Sequence, residues 1–262
     1  MSATPGSGTP AAAPRGAPAG APGGAPAGAP GGAPGGGPAA EPFLRITEIF
    51  HSIQGESTWA GVPCTFVRFT GCPLRCVWCD TTYSFHGGER MTLDAIVEAV
   101  RVAGAPVVEI TGGEPLIHPN AFVLAGRLLD EGYTVLVETS GSEDIAPLDP
   151  RVHVIMDLKC PGSGESHRNR WENLDHLDAR DEIKFVIANR ADWEWTVATI
   201  RERGLDRRVF EGTLRALLVS PVWGEAGPDL QDFAAWILES GLPVRMQTQL
   251  HKHIWGAEKK GV

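Results

Sequence analysis

The chain has 262 residues, and its 23 Lys and Arg against 32 Asp and Glu give a formal net charge of −9. This balance provides no basic surface for nucleic acid, and no apolar run approaches the length that spans a bilayer. Three of its five Cys fall within eight residues, which argues against a secreted disulfide framework and indicates a reducing cytoplasm.

The first 42 residues are almost entirely Pro, Ala and Gly, with Arg15 and Glu41 as their only charges. Without large apolar side chains, such a segment cannot offset the entropy lost on ordering. It has no basic start followed by an apolar run, as a secretory signal does, and its Gly residues keep no strict collagen period. We therefore expect a disordered low-complexity tail at residues 1–42 and one domain at residues 43–262.

Short apolar runs and helical patterns alternate through this domain. Runs rich in Val, Ile and Leu predict strands at 44–50, 65–70, 106–111, 134–138, 152–158, 183–187, 214–219 and 244–247. Helical spacing of apolar residues predicts helices at 93–103, 121–131, 193–203 and 230–240. Near-continuous apolar strands indicate a buried, mainly parallel sheet, and four helices are too few for a closed eightfold barrel. The predicted fold is therefore an α/β partial TIM-like barrel.

The segment Cys-Pro-Leu-Arg-Cys-Val-Trp-Cys follows the second predicted strand and contains Cys72, Cys76 and Cys79. A loop this short can turn three sulfurs toward one point, as iron–sulfur clusters and structural zinc sites require. Zinc takes four protein ligands, and His86 could complete a Cys3His site. A four-iron cluster with three cysteines instead leaves one iron open for another ligand. The spacing alone leaves both centres possible.

Polar segments follow several of the predicted strands. They are the cysteine loop, residues 111–115, residues 138–141, Lys159 and residues 220–223. In barrels of parallel strands, the active-site groups gather at the carboxyl ends of the strands. We therefore expect these segments to converge on one site.

The cysteine loop has an aromatic residue, Trp78, before its last Cys, and Gly-Gly-Glu-Pro follows at residues 112–115. This combination resembles the radical S-adenosylmethionine superfamily. The resemblance implies a 4Fe-4S cluster whose open iron binds the amino and carboxylate groups of S-adenosylmethionine. Electron transfer from the reduced cluster then releases a 5′-deoxyadenosyl radical. The resemblance favours the cluster over zinc.

Further residues narrow the resemblance to the 7-carboxy-7-deazaguanine synthases over about residues 48–251. They are Gln54-Gly55-Glu56 at the end of the first strand, Arg68 four residues before the first Cys, and Trp-Cys-Asp-Thr at residues 78–81. The implied reaction converts 6-carboxy-5,6,7,8-tetrahydropterin to 7-carboxy-7-deazaguanine with loss of ammonia, on the route to queuosine and other 7-deazapurines. S-adenosylmethionine is regenerated, and Mg²⁺ assists. The resemblance also implies a cytoplasmic homodimer, an electron donor such as flavodoxin or ferredoxin, and neither nucleic acid nor membrane as partner.

The resemblance assigns roles to individual residues. Arg68 is expected to grip the planar substrate carboxylate, and Gln54 and Glu56 to bind the pyrimidine edge of the pterin. Thr81 offers a hard oxygen ligand to Mg²⁺. The other implied substrate contacts are Ile53, Gly55, Thr111 and His251. The implied cofactor contacts are Trp78, Asp80, Gly112, Gly113, Glu114, Glu138, Ser140, Lys159 and Ser220, and the catalytic set is Cys72, Cys76, Cys79 and Arg68.

Other interpretations of these residues stay open on the sequence alone. Arg68 could be a core arginine paired with Glu56, and the Thr81 hydroxyl could bond its own backbone. Cys64 and Cys160 have no nearby partner and are predicted to be small buried apolar groups.

Two rival functions and one departure from the family pattern also remain. A glycyl-radical activating enzyme shares the three-cysteine loop, but it has no use for the Gln54, Glu56 and Arg68 set. A zinc-stabilised binding module without catalysis is the second rival. In the family pattern the chain ends soon after the His-Lys segment, and a C-terminal carboxylate can reach the substrate. Here residues 255–262 extend further, which leaves the role of the terminus open.

Overall fold

The computed structural model describes residues 41–262, so the predicted disordered tail lies outside the described residues except for Glu41 and Pro42. The described strands are β1 Phe43–Ile53, β2 Pro63–Phe69, β3 Glu89–Thr92, β4 Val107–Gly112, β5 Thr134–Thr139, β6 His153–Asp157, β7 Glu182–Ile187, β8 Ala216–Pro221 and β9 Val244–Met246. The described α-helices are α1 Leu93–Ala103, α2 Pro119–Asp130, α3 Arg190–Glu202, α4 Leu205–Phe210, α5 Leu230–Ser240 and α6 Leu250–Trp255. None of these helices is long and apolar enough to cross a membrane.

The described strands form one sheet in the order β3-β1-β2-β4-β5-β6-β7-β8-β9. Strand β1 pairs antiparallel with β2 and β3, and every pairing from β2 onward to β9 is parallel. Because the order runs from β3 at one edge to β9 at the other, the sheet stays open within residues 41–262. The predicted partial barrel is confirmed.

Each predicted strand and helix is present within a few residues of its predicted bounds. Helix α1 begins where expected, since the Thr92 hydroxyl accepts a hydrogen bond from the Ala95 N–H at 3.1 Å. It ends at Gly104, whose φ of 77° suits a glycine. Strand β3 and helices α4 and α6 were not predicted, because they are too short to show a periodic pattern.

The two faces of the sheet differ in what they bury. The outer face packs against the apolar sides of the helices and forms the main core. The inner face carries a second, smaller apolar cluster, formed by Cys64, Phe66, Val107, Leu136 and Ile155. Two residues further along these strands, the inward positions become Arg68, Glu109, Glu138 and Asp157. The inner face of the sheet is therefore apolar toward the amino ends of these strands and charged toward their carboxyl ends. We call the space along this face the lumen.

Candidate active site

A cavity of about 670 Å³ opens at the carboxyl ends of the parallel strands. All but one of the predicted site residues line it, and Glu114 is the exception. The predicted residues that line it are Ile53, Gln54, Gly55, Glu56, Arg68, Cys72, Cys76, Trp78, Cys79, Asp80, Thr81, Thr111, Gly112, Gly113, Glu138, Ser140, Lys159, Ser220 and His251. The expected convergence of strand ends is therefore present.

The cysteine loop is held by a hydrogen bond to a neighbouring loop and by one within itself. The Val77 N–H donates to the Ser163 carbonyl at 3.1 Å, and the Cys79 N–H donates to the Cys76 carbonyl at 3.2 Å. Cys72, Cys76 and Cys79 are free thiols of intermediate exposure. Burial raises the pKa of the Cys76 thiol to about 11. Metal ligation must therefore displace a proton from this side chain.

The donor set fits a multinuclear centre. Among residues 41–262, no three His, Cys, Asp or Glu side chains converge as ligands of one ion must, and His86 is exposed. Within these residues, His86 is not brought to the three cysteines as a Cys3His zinc site would require. In a four-iron cluster each cysteine binds a different iron, so the three sulfurs need not share one ion. Three thiols at the cavity wall would hold such a cluster.

The two glycines after β4 are required by the packing of the cysteine loop. A Cβ on Gly113 would lie 2.1 Å from the Gly71 carbonyl oxygen and 2.9 Å from Cys72 Cβ. Gly112 has φ +143°, and a Cβ there would lie 2.5 Å from the Phe69 backbone. The glycines were expected to bring the backbone close to a ligand. The structure gives a packing reason, because they let the end of β4 lie close against the end of β2 and the start of the cysteine loop.

Glu114 lies behind the cavity wall and is fully buried. Its carboxylate accepts hydrogen bonds from Leu116 N, Thr139 Oγ1, Ser140 N and Ser140 Oγ, at 3.0, 2.8, 2.7 and 2.6 Å. Burial raises the pKa of Glu114, and these four donors oppose the rise. The described contacts therefore make Glu114 a tie between the ends of β4 and β5, which orients Ser140 at the cavity.

The Gln54-Gly55-Glu56 segment is held by hydrogen bonds from both of its polar side chains. Gln54 Oε1 accepts from the Glu56 N–H at 2.7 Å, and Gln54 Nε2 donates to Glu109 Oε2. The Glu56 carboxylate accepts from Lys184 Nζ and from Gln249 Nε2, each at 2.9 Å. The two predicted substrate contacts are thus held rigidly before any ligand arrives.

Helix α6 packs against this segment. The Leu250 N–H donates to the Gly55 carbonyl at 2.9 Å, and a Cβ on Gly55 would lie 2.1 Å from His251 Nδ1. Burial lowers the pKa of His251, so its ring is neutral near pH 7. Lys252 Nζ donates to Asp80 Oδ2 at 2.7 Å, which ties α6 to the cysteine loop. This short helix closes one side of the cavity.

Arg68 pairs with Glu48, a partner that was not predicted from the sequence. Its Nε donates to Glu48 Oε1 at 2.8 Å, and Tyr83 Oη donates to the same oxygen at 2.8 Å. The alternative pairing of Arg68 with Glu56 is wrong, because Lys184 engages Glu56. Within residues 41–262, the terminal guanidinium nitrogens of Arg68 donate to no other side chain. Two parallel donors therefore remain for a carboxylate in the cavity.

The cavity also contains a buried network of lysines and carboxylates. Its members Glu56, Glu138 and Lys159 were predicted as site residues, but Lys184 and Asp157 were not. Lys184 Nζ contacts Glu138 Oε1 and lies 3.8 Å from Asp157 Oδ2, while Lys159 Nζ lies 2.9 Å from the same Asp157 oxygen. Burial acts to raise the pKa of Glu138, but Lys184, with help from Lys159 and Arg68, outweighs it and brings the value to about 2. The signal available in the sequence was a charged residue inside an apolar strand run.

Two buried polar atoms at the cavity have no partner within the described chain. They are Asp157 Oδ1 and Ser220 Oγ. Buried polar atoms in native proteins are nearly always hydrogen-bonded, so this pair indicates where a ligand completes the site. The position of Ser220 fits its predicted contact with S-adenosylmethionine.

Thr81 and the C-terminal segment complete the cavity wall. The Thr81 carbonyl accepts from Ser84 N and Ser84 Oγ, but its hydroxyl lies 3.7 Å from Cys79 Sγ and does not cap its own turn. The alternative in which the hydroxyl bonds its own backbone is therefore not observed. Residues 255–262 return to the cavity, since Glu258 and Val262 line it.

Comparison with known proteins identifies relatives of this arrangement. A family model described as the Radical SAM superfamily matches residues 66–214. The chain is 45% identical over 231 residues to a 7-carboxy-7-deazaguanine synthase from Koribacter versatilis, covering 84% of this chain and 100% of the relative. It is 43% identical over 222 residues to one from Chlorobaculum tepidum, covering 84% and 97%. The crystal structure of QueE from Escherichia coli has a TM-score of 0.62 at 24% identity, covers 80% of this chain and 95% of that one, and supports the fold.

Proposed function

Because this chain belongs to the radical S-adenosylmethionine superfamily and, within it, to the 7-carboxy-7-deazaguanine synthases, we propose that its cavity converts 6-carboxy-5,6,7,8-tetrahydropterin to 7-carboxy-7-deazaguanine with release of ammonia. One observation carries the proposal. A three-cysteine loop and a charged lumen share a single cavity of about 670 Å³, a size typical of small-molecule sites. The chain is accordingly a radical S-adenosylmethionine lyase of 7-deazapurine biosynthesis.

The cofactor side of the cavity is formed by the cysteine loop and the ends of β4 to β8. When bound, the cluster and S-adenosylmethionine supply the radical that removes a hydrogen atom from C6 of the substrate. In this proposal, Cys72, Cys76 and Cys79 hold the cluster. The cofactor is oriented by Trp78, Asp80, Gly112, Gly113, Glu138, Ser140, Lys159 and Ser220, with Glu114 acting behind Ser140.

The substrate side is formed by β1, β2 and α6. Arg68 binds the C6 carboxylate through the two terminal nitrogens that Glu48 leaves free. Gln54 and Glu56 bind the pyrimidine edge, and neutral His251 packs beside them without adding charge. Ile53, Gly55 and Thr111 complete this wall.

Several finer features belong to the same proposal. Thr81 contributes its hydroxyl oxygen to Mg²⁺, a cation that accepts hard oxygen ligands together with water and substrate oxygens. The cavity takes a small-molecule substrate, and the cluster needs an external electron donor, for which we propose flavodoxin or ferredoxin. We also propose a homodimer that works in the cytoplasm.

The direct test is turnover by the anaerobically reconstituted full chain with a reductant. We expect 7-carboxy-7-deazaguanine and ammonia in equal amounts from 6-carboxy-5,6,7,8-tetrahydropterin, with S-adenosylmethionine recovered after each cycle. A reaction without S-adenosylmethionine is the control. Cleavage of S-adenosylmethionine without any deazaguanine product would refute the proposal and favour an activating enzyme that acts on a protein radical site.

A further inference from the structure

Glu109 is a lumen carboxyl group that has no role in the proposed function so far. It lies within β4 and is 2% exposed, at the level where the lumen changes from apolar to charged. Its Oε2 accepts the hydrogen bond from Gln54 Nε2. Across the described part of the chain it forms no ion pair, whereas Glu138 pairs directly with Lys184. Glu109 is therefore buried without a compensating cation.

The charges around Glu109 do not favour ionisation. The groups that face it are Glu56 from the β1–β2 loop, Cys64 from β2, Glu138 from β5 and Lys184 from β7. Burial raises the pKa of Glu109 well above its ordinary value, the charge of Glu138 adds to the rise, and Lys184 opposes it only in part. A buried carboxyl that gains no cation keeps its proton rather than carry an uncompensated charge.

The Gln54 amide has a defined orientation because one of its two hydrogen-bond partners is a donor and the other is an acceptor. The Glu56 N–H can only donate, so it fixes which atom of the Gln54 amide is the oxygen. The Nε2 atom must then find an acceptor, and Glu109 supplies it. One N–H and one lone pair of the amide stay unused by the protein.

We propose that Glu109 is a neutral carboxylic acid and a positioning residue: one oxygen accepts from Gln54, its O–H donates to Glu138, and the Gln54 amide is thereby locked toward the substrate. The inference rests on the proposed function and deepens it. The lactam edge of a pterin presents a carbonyl acceptor beside an N–H donor, which the free N–H and lone pair of Gln54 complement. A 2,4-diaminopteridine presents the reverse pattern of donor and acceptor. The fixed Gln54 amide therefore favours binding of a pterin over a 2,4-diaminopteridine.

The test measures binding of two unreactive aromatic analogues to the reconstituted full chain with S-adenosylmethionine present. The analogues are 6-carboxypterin and 2,4-diamino-6-carboxypteridine, and the method is titration calorimetry. Glu109→Gln reproduces a neutral acid, with an oxygen toward Gln54 and an N–H toward Glu138, so affinity and preference should stay within about threefold of wild type. Glu109→Leu removes both hydrogen bonds and should cut 6-carboxypterin affinity and the preference for it by roughly tenfold or more.

Two further measurements keep the test decisive if Glu109→Leu does not fold. The infrared difference between wild type and Glu109→Gln, recorded at the pH of the binding experiment, should contain the C=O band of a protonated carboxylic acid, because the proposal makes Glu109 a neutral acid. Glu114→Gln is the matched control. It places an amide against four donors, so it should lower Tm where Glu109→Gln does not.

The outcomes separate this inference from the proposed function. A missing infrared band, or a Glu109→Gln variant as impaired as Glu109→Leu, would show that Glu109 acts as an anion and overturn the inference. A folded Glu109→Leu variant with wild-type affinity and preference would overturn the positioning role. If wild type binds neither analogue, the proposed function fails, and the pterin selection fails with it.

Discussion

Lys184 is the cation on which the charged layer of the lumen depends, and its removal tests that electrostatic description. Its Nζ contacts Glu138, lies 2.9 Å from Glu56 Oε2 and lies 3.8 Å from Asp157 Oδ2, and its side chain is 6% exposed. Lys184→Met fills a similar volume but leaves these carboxylates without their shared partner. Breaking a buried ion pair in this way costs about 3–5 kcal/mol. For a domain of this size, we expect Tm to fall by roughly 6–20 °C.

The loss should depend on pH with a definite sign. In wild type, the pKa of Glu138 near 2 lies below its ordinary value, so the stabilisation is present at neutral pH and is lost only as pH falls toward that value. In Lys184→Met, burial without the cation raises the pKa of Glu138 above its ordinary value. The variant should then lose stability as pH rises, so the gap to wild type is widest near about pH 7–8 and narrows toward about pH 5.

Urea unfolding of substrate-free protein, followed by Trp fluorescence across this pH range, measures both effects. The matched control is Lys259→Met, which removes an exposed lysine and should change stability by less than about 0.5 kcal/mol. A Lys184→Met loss below about 1 kcal/mol that does not vary with pH would mean that these carboxylates do not need the ammonium group, and the reasoning would be wrong.

The remaining predictions concern the cluster, the substrate and the tail. Cys76→Ala should lose bound iron and turnover together, as iron analysis and visible absorption would report, whereas Cys64→Ala, at a buried position away from the loop, should keep both. Full activity in Cys76→Ala would contradict the cluster assignment. Arg68→Lys keeps the charge but loses the planar fork, so substrate binding should weaken by about 1.5–3 kcal/mol, roughly ten- to a hundredfold, with S-adenosylmethionine affinity unchanged. Unchanged substrate affinity with a lower Tm would instead make Arg68 a scaffold residue. Deleting residues 2–40 should leave Tm and turnover near wild type, because that composition has no large apolar group to pack; a large fall in either would refute this.

Local patterns were sufficient to predict the longer elements and a metal centre at the three-cysteine loop. A strand or helix shows its periodicity within its own residues, which is why the predicted strands and helices are present near their expected bounds. The cysteine loop needs only eight residues to bring Cys72, Cys76 and Cys79 to the cavity wall. The motifs at the strand ends converge because the strands run parallel, and the apolar runs predicted that arrangement.

The partners of buried charges were decided by the tertiary structure alone. Lys184 meets Glu56 across 128 positions of sequence and Glu138 across 46, so no local pattern relates them. A pairing of Arg68 with Glu56 stayed open as an alternative on the sequence alone, but β1 and β2 lie antiparallel with Glu48 beside Arg68. The protonation of Glu109 depends in the same way on which groups surround it after folding. Burial makes such pairings strong, and burial exists only once distant strands have assembled around a common lumen.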